Sequence, residues 1–334
     1  MDTQAREHAQ VERASGALST AAPLLIVANP SSEAARSAVE FTHRLLRQAG
    51  RPVEVLQAPP SGEDLASTAR RAAALAADVG GAVIAAGGDG TASTVATALL
   101  AHGRSTDSPP RPMGLLPLGT FNFFARAHGL PTEPAAAARV WLRGQFAPVQ
   151  VGLVNERAFL VHAALGLYPR LLEDREDFNR RYGRTRAVAL WAGMHSLLRG
   201  GGALDLAIAR DGKVQRVRAT TLFVGNNRPQ LERIGVAQAA CVEQGLLAVL
   251  WLRPASAAHR LWLAARGAVG ELGGADAVVG EALAELTVMP HRPRWLGEHR
   301  AIKVATDGEV VRLAPPLRFS VSPAPLSLLV PALR

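Results

Sequence analysis

Two domains of different construction are predicted from the sequence: an N-terminal α/β domain with a parallel, doubly wound sheet, then a C-terminal, mainly antiparallel β domain. Three observations predict them. Up to residue 146, strand-length apolar runs alternate with stretches of helical periodicity, as in a parallel sheet with helices on its faces. Beyond it, strand-like runs follow one another with few helical interruptions, and the hairpin dipeptide Asp211-Gly212 separates two of them. A chain of 334 residues, 48% hydrophobic and 19% charged, can bury a core in each domain.

Residues 1–22 are polar, mixed in charge and without an apolar centre, so they read as a flexible leader and not as a signal peptide. The α/β domain is expected over 23–146. Its first buried strand is Leu24-Leu25-Ile26-Val27-Ala28, which runs into Asn29-Pro30-Ser31-Ser32. Ala35, Ala38, Val39, Thr42, Leu45, Leu46 and Ala49 then recur at helical spacing. A second strand is expected over 53–56, and Ser61 with Asp64 resembles a capping box for a helix reaching Ala77. The third strand, from Ala82, ends in Gly87-Gly88-Asp89-Gly90-Thr91. A fourth, from Met113, ends in Leu118-Gly119-Thr120-Phe121-Asn122, with helices expected over 122–128 and 134–142.

The β domain is expected over 147–325. Its strands are read over 149–154, 158–164, 204–210, 214–224, 246–252, 283–289, 301–305, 310–313 and 317–321, with a last strand over 326–330. Helices are expected to interrupt it over 184–198 and 255–270. There is no internal repeat.

The chemistry gathers at the two glycine turns, beyond the C-terminal ends of parallel strands, where such sheets hold ligands. Gly87, Gly88 and Gly90 can take backbone angles closed to other residues and let a ligand approach the main chain. Backbone N–H groups leading into a helix N-terminus bind phosphate. Asp89 would repel that phosphate unless a divalent cation such as Mg2+ bridges the two. An ordinary strand-to-helix turn would also use Asp-Gly, and Thr120 and Asn122 also fit simple turn and cap chemistry. The segment is no P-loop, because no lysine follows the glycines, and Gly88-Asp89-Gly90-Thr91-Ala92-Ser93 lacks the third glycine of a dinucleotide fingerprint.

Composition narrows the partners. A net charge of +9 points to acidic ones, and with lysine only at Lys213 and Lys303, 35 of the 37 basic residues are arginines. Arginine's planar fork suits phosphates on nucleotides and anionic lipids. Aromatic content of 5% and the lack of a binding module argue against nucleic acid. Cys241 alone excludes an internal disulfide and fits a reducing, cytoplasmic setting. No apolar stretch approaches the roughly 20 residues that span a bilayer. The histidines show no zinc spacing, so no metal ligand set is expected from the protein's own residues.

Asn29-Pro30, Gly87-Gly88-Asp89-Gly90-Thr91, Leu116-Pro117-Leu118-Gly119-Thr120-Phe121-Asn122, Gly225-Asn226 and Asp307-Gly308-Glu309 together resemble bacterial lipid kinases of the diacylglycerol kinase catalytic family. NAD kinases share the first signature and the two-domain plan. The resemblance covers residues 24–331. It implies ATP bound in a cleft between domains, Mg2+, and a last segment, 326–334, that returns to the first domain. It carries nucleotide contacts onto Asn29, Gly88, Asp89, Gly90, Thr91 and Thr120, makes Asp89 catalytic through Mg2+, and makes Glu309 the proton acceptor.

Departures accompany the matches. Glu33 stands where the family has glycine, Ser93-Thr94 where it has Asn-Glu, and Phe123 where an aspartate follows Thr-x-Asn. Gln244, in Glu243-Gln244-Gly245, replaces an aspartate that supports a remote Mg2+ in the family. The expectation is therefore a cytoplasmic lipid kinase acting at the inner membrane face, phosphorylating a hydroxyl of diacylglycerol or a related lipid. A homodimer is compatible with it. A non-catalytic lipid- or nucleotide-binding protein and an NAD kinase are the competing readings.

Overall fold

The computed structural model describes residues 22–29, 32–58, 63–182, 202–210, 212–290 and 301–332. The chain divides into two compact units. One comprises Met1–Val151, Glu156–Leu160 and Ser322–Arg334, the other Gly152–Asn155 and Val161–Val321.

The first unit opens with β1 (Leu24–Ala28), α1 (Glu33–Gln48), β2 (Val53–Gln57), α2 (Glu63–Asp78), β3 (Ala82–Gly87), α3 (Asp89–Thr106) and β4 (Met113–Pro117). It continues through α4 (Phe123–Ala127), α5 (Pro134–Arg143) and β5 (Gln145–Val149). Strands β1 to β4 pair in parallel in the order β2-β1-β3-β4. Every residue of β1, β3 and β4 is buried, as expected of strands covered on both faces. Helix α1 packs with α5, and α2 with α3.

Local chemistry sets the helix ends. Ser32 Oγ accepts the Ala35 N–H at 3.2 Å to open α1, which buries Ala35, Ala38, Val39, Thr42 and Leu46 on one face. The Glu133 carboxylate accepts from the N–H groups of Ala135 and Ala136, with Pro134 beginning α5. Ser61 of the expected capping box lies outside the described residues.

The second unit holds β6 (Gly152–Val154), and β7 (Arg157–Phe159) belongs to the first unit. Next come β8 (His162–Gly166), α6 (Leu167–Tyr182), β9 (Leu204–Arg210), β10 (Lys213–Ala219), β11 (Thr221–Gly225), α7 (Arg228–Arg233), a 3₁₀ turn over Ala237–Gln244 and β12 (Leu247–Leu252). Then follow α8 (Ala257–Ala268), a short 3₁₀ turn, β13 (Val278–Leu283), β14 (Glu285–Pro290), β15 (Ile302–Thr306), β16 (Glu309–Leu313) and β17 (Leu317–Val321). Strands β10-β9-β14-β17-β6 pair in that order, and β13-β12-β11-β8-β15-β16 form a second sheet, all neighbours antiparallel. β18 (Leu326–Val330) lies in the first unit, parallel to β4 and antiparallel to β5.

Four strands expected to be continuous are broken, each where the chain changes partners. The run over 158–164 divides into β7 and β8. The run over 214–224 divides at Thr220, whose N–H donates to Leu252 O while its carbonyl accepts from Leu167 N–H. The run over 283–289 divides at Ala284, so β13 and β14 join different sheets. Likewise the run over 149–154 breaks between β5 and β6. Apolar composition continues across each break, so it does not mark them. Strand β13 and helices α6 and α7 were not anticipated. The helix expected over 184–198 falls outside the described residues. Among the described residues no helix is long and apolar enough to cross a membrane.

Gly114, in the middle of β4, lies directly beneath the Trp141 ring of α5, where a Cβ would overlap the indole. Trp141 is buried, so the ring has nowhere to yield. Gly114→Ala should therefore lower unfolding stability by about 1–3 kcal/mol through overpacking. Trp141→Leu in the same background should recover part of that loss. Urea unfolding of the four-member set checks it, and an unchanged midpoint for Gly114→Ala would contradict the packing.

Candidate functional site

In the first unit the C-terminal ends of β1, β3 and β4 bring the expected residues together. Asn29 follows β1, its N–H bonded to Ala86 O at 3.1 Å and its Nδ2 3.5 Å from Thr91 Oγ1. Gly88 precedes α3 and provides no side-chain cap, so the first-turn N–H groups of an 18-residue helix have no capping side chain. Beside it, Leu118 N–H bonds Gly87 O at 2.9 Å. The next turn is folded by Asn122, whose φ is 50°. Its Oδ1 accepts from Gly119 N–H at 3.0 Å and its Nδ2 donates to Gly119 O at 2.8 Å. Thr120 is exposed on this turn.

The two glycine turns touch backbone to backbone. A Cβ on Gly119 would sit 2.6 Å from Gly88 Cα, and one on Gly88 would sit 3.3 Å from Gly119 Cα. A Cβ on Gly87 would run into Thr91 Oγ1. None of Gly87, Gly88 and Gly90 has a positive φ, and Gly88 has φ −87° and ψ −171°. The expectation of backbone angles closed to other residues is thus corrected: at Gly87 and Gly88 the requirement is space, not conformation. Thr91, 4% exposed, fills the turn from within.

Asp89 bonds across this junction. Its two carboxylate oxygens accept from Phe123 N–H and Phe124 N–H, each at 3.0 Å, at the start of α4. Burial raises its pKa, and these two bonds only partly offset the rise. Asp89 forms no ion pair among the described residues. A half-buried carboxylate with spare lone pairs, beside uncapped helix N–H groups, fits a divalent cation carrying phosphate oxygens.

The departures have structural settings too. Glu33, at the start of α1, pairs with Arg36 at 2.7 Å with its side chain 81% exposed. Its charge is thus met within its own helix. Ser93 is buried and donates to Gly90 O at 3.1 Å, and Thr94 is buried as well. The Phe123 ring stacks on the exposed Phe121 ring, centroids 5.4 Å apart. In the second unit Gln244 is exposed, and neighbouring Glu243 pairs with Arg228 at 2.5 Å.

Within the second unit a separate polar group forms where β8 begins, β11 ends and β15 turns into β16. Asp307 and Gly308, with φ of 50° and 91°, make a two-residue hairpin that pairs Thr306 with Glu309. Asp307 Oδ1 accepts from Val161 N–H and His162 N–H, each at 2.9 Å. Its own N–H donates to His162 O at 3.1 Å. Glu309 is the first residue of β16 and half-buried. Asn226, after β11, donates its N–H to Val161 O at 2.8 Å, and Asn227 Oδ1 accepts from Gln230 N–H to cap α7.

Sequence reasoning missed His162 and Gln230. His162 is 4% exposed, stacks on Phe223 with centroids 4.8 Å apart, and meets Tyr168 edge-on at 5.2 Å. Gln230 Nε2 lies 3.2 Å from its Nδ1. Burial pushes the imidazole pKa down to about 4. The one available signal was a lone polar ring inside the apolar run from Leu160 to Leu165.

Comparisons with known proteins agree with this architecture. The family described as the diacylglycerol kinase catalytic domain matches residues 23–154. A "Probable lipid kinase YegS-like" from Pseudomonas aeruginosa (strain UCBPP-PA14) is 34% identical over 86% of this chain and 87% of its own. A protein of the same description from Cronobacter sakazakii is 38% identical, the match spanning 37% of this chain and only 39% of that protein. A solved diacylglycerol kinase structure from Bacillus anthracis str. Sterne superimposes with a TM-score of 0.57 at 16% identity, covering 92% of this chain and 96% of that one. At that identity the likeness speaks for the fold.

The glycine contact is asymmetric, and so are the expected mutational effects. At Gly119 an added methyl meets backbone that cannot rotate away, whereas at Gly88 a few tenths of an ångström suffice. Gly119→Ala should cost about 1–3 kcal/mol of stability, and Gly88→Ala clearly less. Chemical denaturation of both variants checks this. Equal losses, or none at Gly119, would contradict the backbone contact.

Proposed function

The chain belongs to the diacylglycerol kinase catalytic family, and on that premise we propose that it is a lipid kinase moving the terminal phosphate of ATP to a lipid hydroxyl. The observation that carries this reading is the interlocked pair of glycine turns, with the uncapped start of α3 beside the half-buried Asp89 carboxylate. The main-chain N–H groups of the first turn of α3 bind the phosphates, with Asn29, Thr91 and Thr120 around them. Asp89 would hold Mg2+, which would supply the charge neutralisation that phosphoryl transfer needs. Its bonds to Phe123 and Phe124 keep the carboxylate in place without satisfying all of its lone pairs.

In the second unit Glu309 takes the proton from the lipid hydroxyl. Asp307 holds the hairpin on which Glu309 sits, because its carboxylate ties that turn to the start of β8. Incubation with radiolabelled ATP and a panel of lipids should give a phosphorylated lipid, identified by its mass. Glu309→Gln should lower turnover by about 10²–10⁴-fold while ATP binding persists. Asp307→Asn retains an acceptor oxygen for both N–H groups and should lose less. Near-normal turnover of Glu309→Gln on the lipid that wild type phosphorylates would remove that assignment, and absence of any lipid product would remove the kinase reading.

The same reading requires access to a membrane surface, and α8 has the chemistry for an anionic one. Its exposed Trp262, 46% accessible, has the Arg266 guanidinium 4.9 Å from the ring centroid and His259 alongside at 5.1 Å. Exposed Arg253 precedes the helix and exposed Val269 follows it. An amphipathic aromatic ring flanked by arginines suits the headgroup layer, each basic residue there adding about 1 kcal/mol of attraction to anionic lipid. Vesicle sedimentation should show binding that rises with anionic lipid and falls with salt. Trp262→Ala should weaken it. Binding to neutral vesicles that is equally strong at all salt concentrations would overturn the electrostatic account.

A further inference from the structure

The turn that closes against Gly88 also displays the most exposed phenylalanine among the described residues. Phe121 is 48% accessible, although a phenylalanine ring gains by leaving water. Its main chain is fixed on either side. Asn122 closes the turn through both of its bonds to Gly119, at 3.0 and 2.8 Å, and Arg126 Nε donates to Phe121 O at 3.0 Å. The exposed ring is therefore held in place by the turn that carries it.

Phe123 extends the feature. Its ring is parallel to that of Phe121, with 7° between the planes and 5.4 Å between the centroids. Phe123 thus lies against one face of Phe121, and the accessible part of Phe121 is its other face and its rim. Phe123 itself is half-buried, with its N–H bonded to an Asp89 carboxylate oxygen at 3.0 Å. The two rings make a flat, backed apolar surface that is organised before any ligand arrives.

Position says what covers this surface. Phe121 stands two residues after Gly119, whose backbone meets that of Gly88 just before α3, and Phe123 is bonded to Asp89 directly. A nucleotide with its phosphates at the start of α3 carries a flat π-surface one ribose further on. A base buries its faces by stacking and keeps its polar edges in water, which suits a platform open at its rim. Resting on the nucleotide site of the lipid kinase reading, we propose that Phe121, backed by Phe123, is the platform on which the base of the bound nucleoside triphosphate stacks. Stacking responds to ring area and not to the hydrogen-bonding edge, so purines are preferred to pyrimidines and adenine is not selected over guanine. The two rings serve binding and touch no reacting atom.

Calorimetric titration of the full chain with ATP, GTP, UTP and inorganic tripolyphosphate, all with Mg2+, tests this. Wild type should bind ATP and GTP alike, UTP more weakly and tripolyphosphate most weakly. Phe121→Ala changes an exposed side chain and keeps the main-chain bonds of the turn, so its melting temperature should stay at the wild-type value. It should lower ATP affinity by about five- to hundredfold and leave tripolyphosphate affinity unchanged. Phe121→Trp, which retains a stacking face, should keep ATP affinity at or above wild type. Phe123→Leu keeps the N–H that Asp89 accepts and should cost less than Phe121→Ala. A wild type that binds ATP no better than tripolyphosphate, or Phe121→Ala with full ATP affinity, would overturn the proposal and leave the phosphate site standing. Equal losses of ATP and tripolyphosphate in Phe121→Ala would overturn it as well, the turn and not the ring being responsible. Loss of anionic-vesicle binding by Phe121→Ala with ATP affinity unchanged would assign the ring to a membrane surface instead. Failure of all four ligands to bind wild type would remove the nucleotide reading together with the proposal.

Discussion

Contact between the backbones of Gly88 and Gly119 fixes how closely the two glycine turns of the first unit approach. The turn after β3 and the turn after β4 approach so closely that a single methyl on Gly119 would reach Gly88 Cα at 2.6 Å. That approach brings the start of α4 under the Asp89 carboxylate, where two N–H groups hold both of its oxygens. Asn122 closes the second turn on itself, adopting φ 50° to do so. One steric requirement thus positions a helix N-terminus, a carboxylate and an exposed threonine together. The chemistry attributed to the unit needs all three.

Asp307 has the corresponding place in the second unit, by a different physical means. Here the constraint is a buried carboxylate that must be satisfied, since an unpaired one would be strongly disfavoured. It is met by the two N–H groups at the start of β8, so the β15–β16 hairpin cannot shift relative to that strand without losing them. Glu309 and His162 inherit their positions from this bond network.

The departures from the family pattern look different once their surroundings are known. Glu33 would bring negative charge toward phosphate if it stood alone, but Arg36 one helical turn on takes it up. Phe123 contributes its N–H to Asp89, which any residue but proline could do, and its ring stacks on Phe121. Ser93 and Thr94 lie buried in α3, and the Ser93 hydroxyl is engaged with Gly90 O. A substitution that keeps the main-chain role intact changes less than its side chain implies.

The sequence by itself determined the alternation of strands and helices in the first unit, the two glycine turns, the pairing of β9 with β10 and the antiparallel character of the second unit. Those features depend on period, composition and turn chemistry, all local properties of the chain. Three things were decided only by the tertiary structure. Strand breaks at Thr220 and Ala284 follow from which sheet each half joins, and apolar composition is the same on both sides. The need for glycine at 88 and 119 comes from a neighbour about thirty residues away, so it reads locally as a preference for unusual backbone angles that neither glycine adopts. The pairing of His162 with Gln230 joins positions 68 apart on β8 and α7, and nothing in either local sequence announces it. Contacts between distant segments exist only after the sheets have formed, which is why period and composition carry no trace of them.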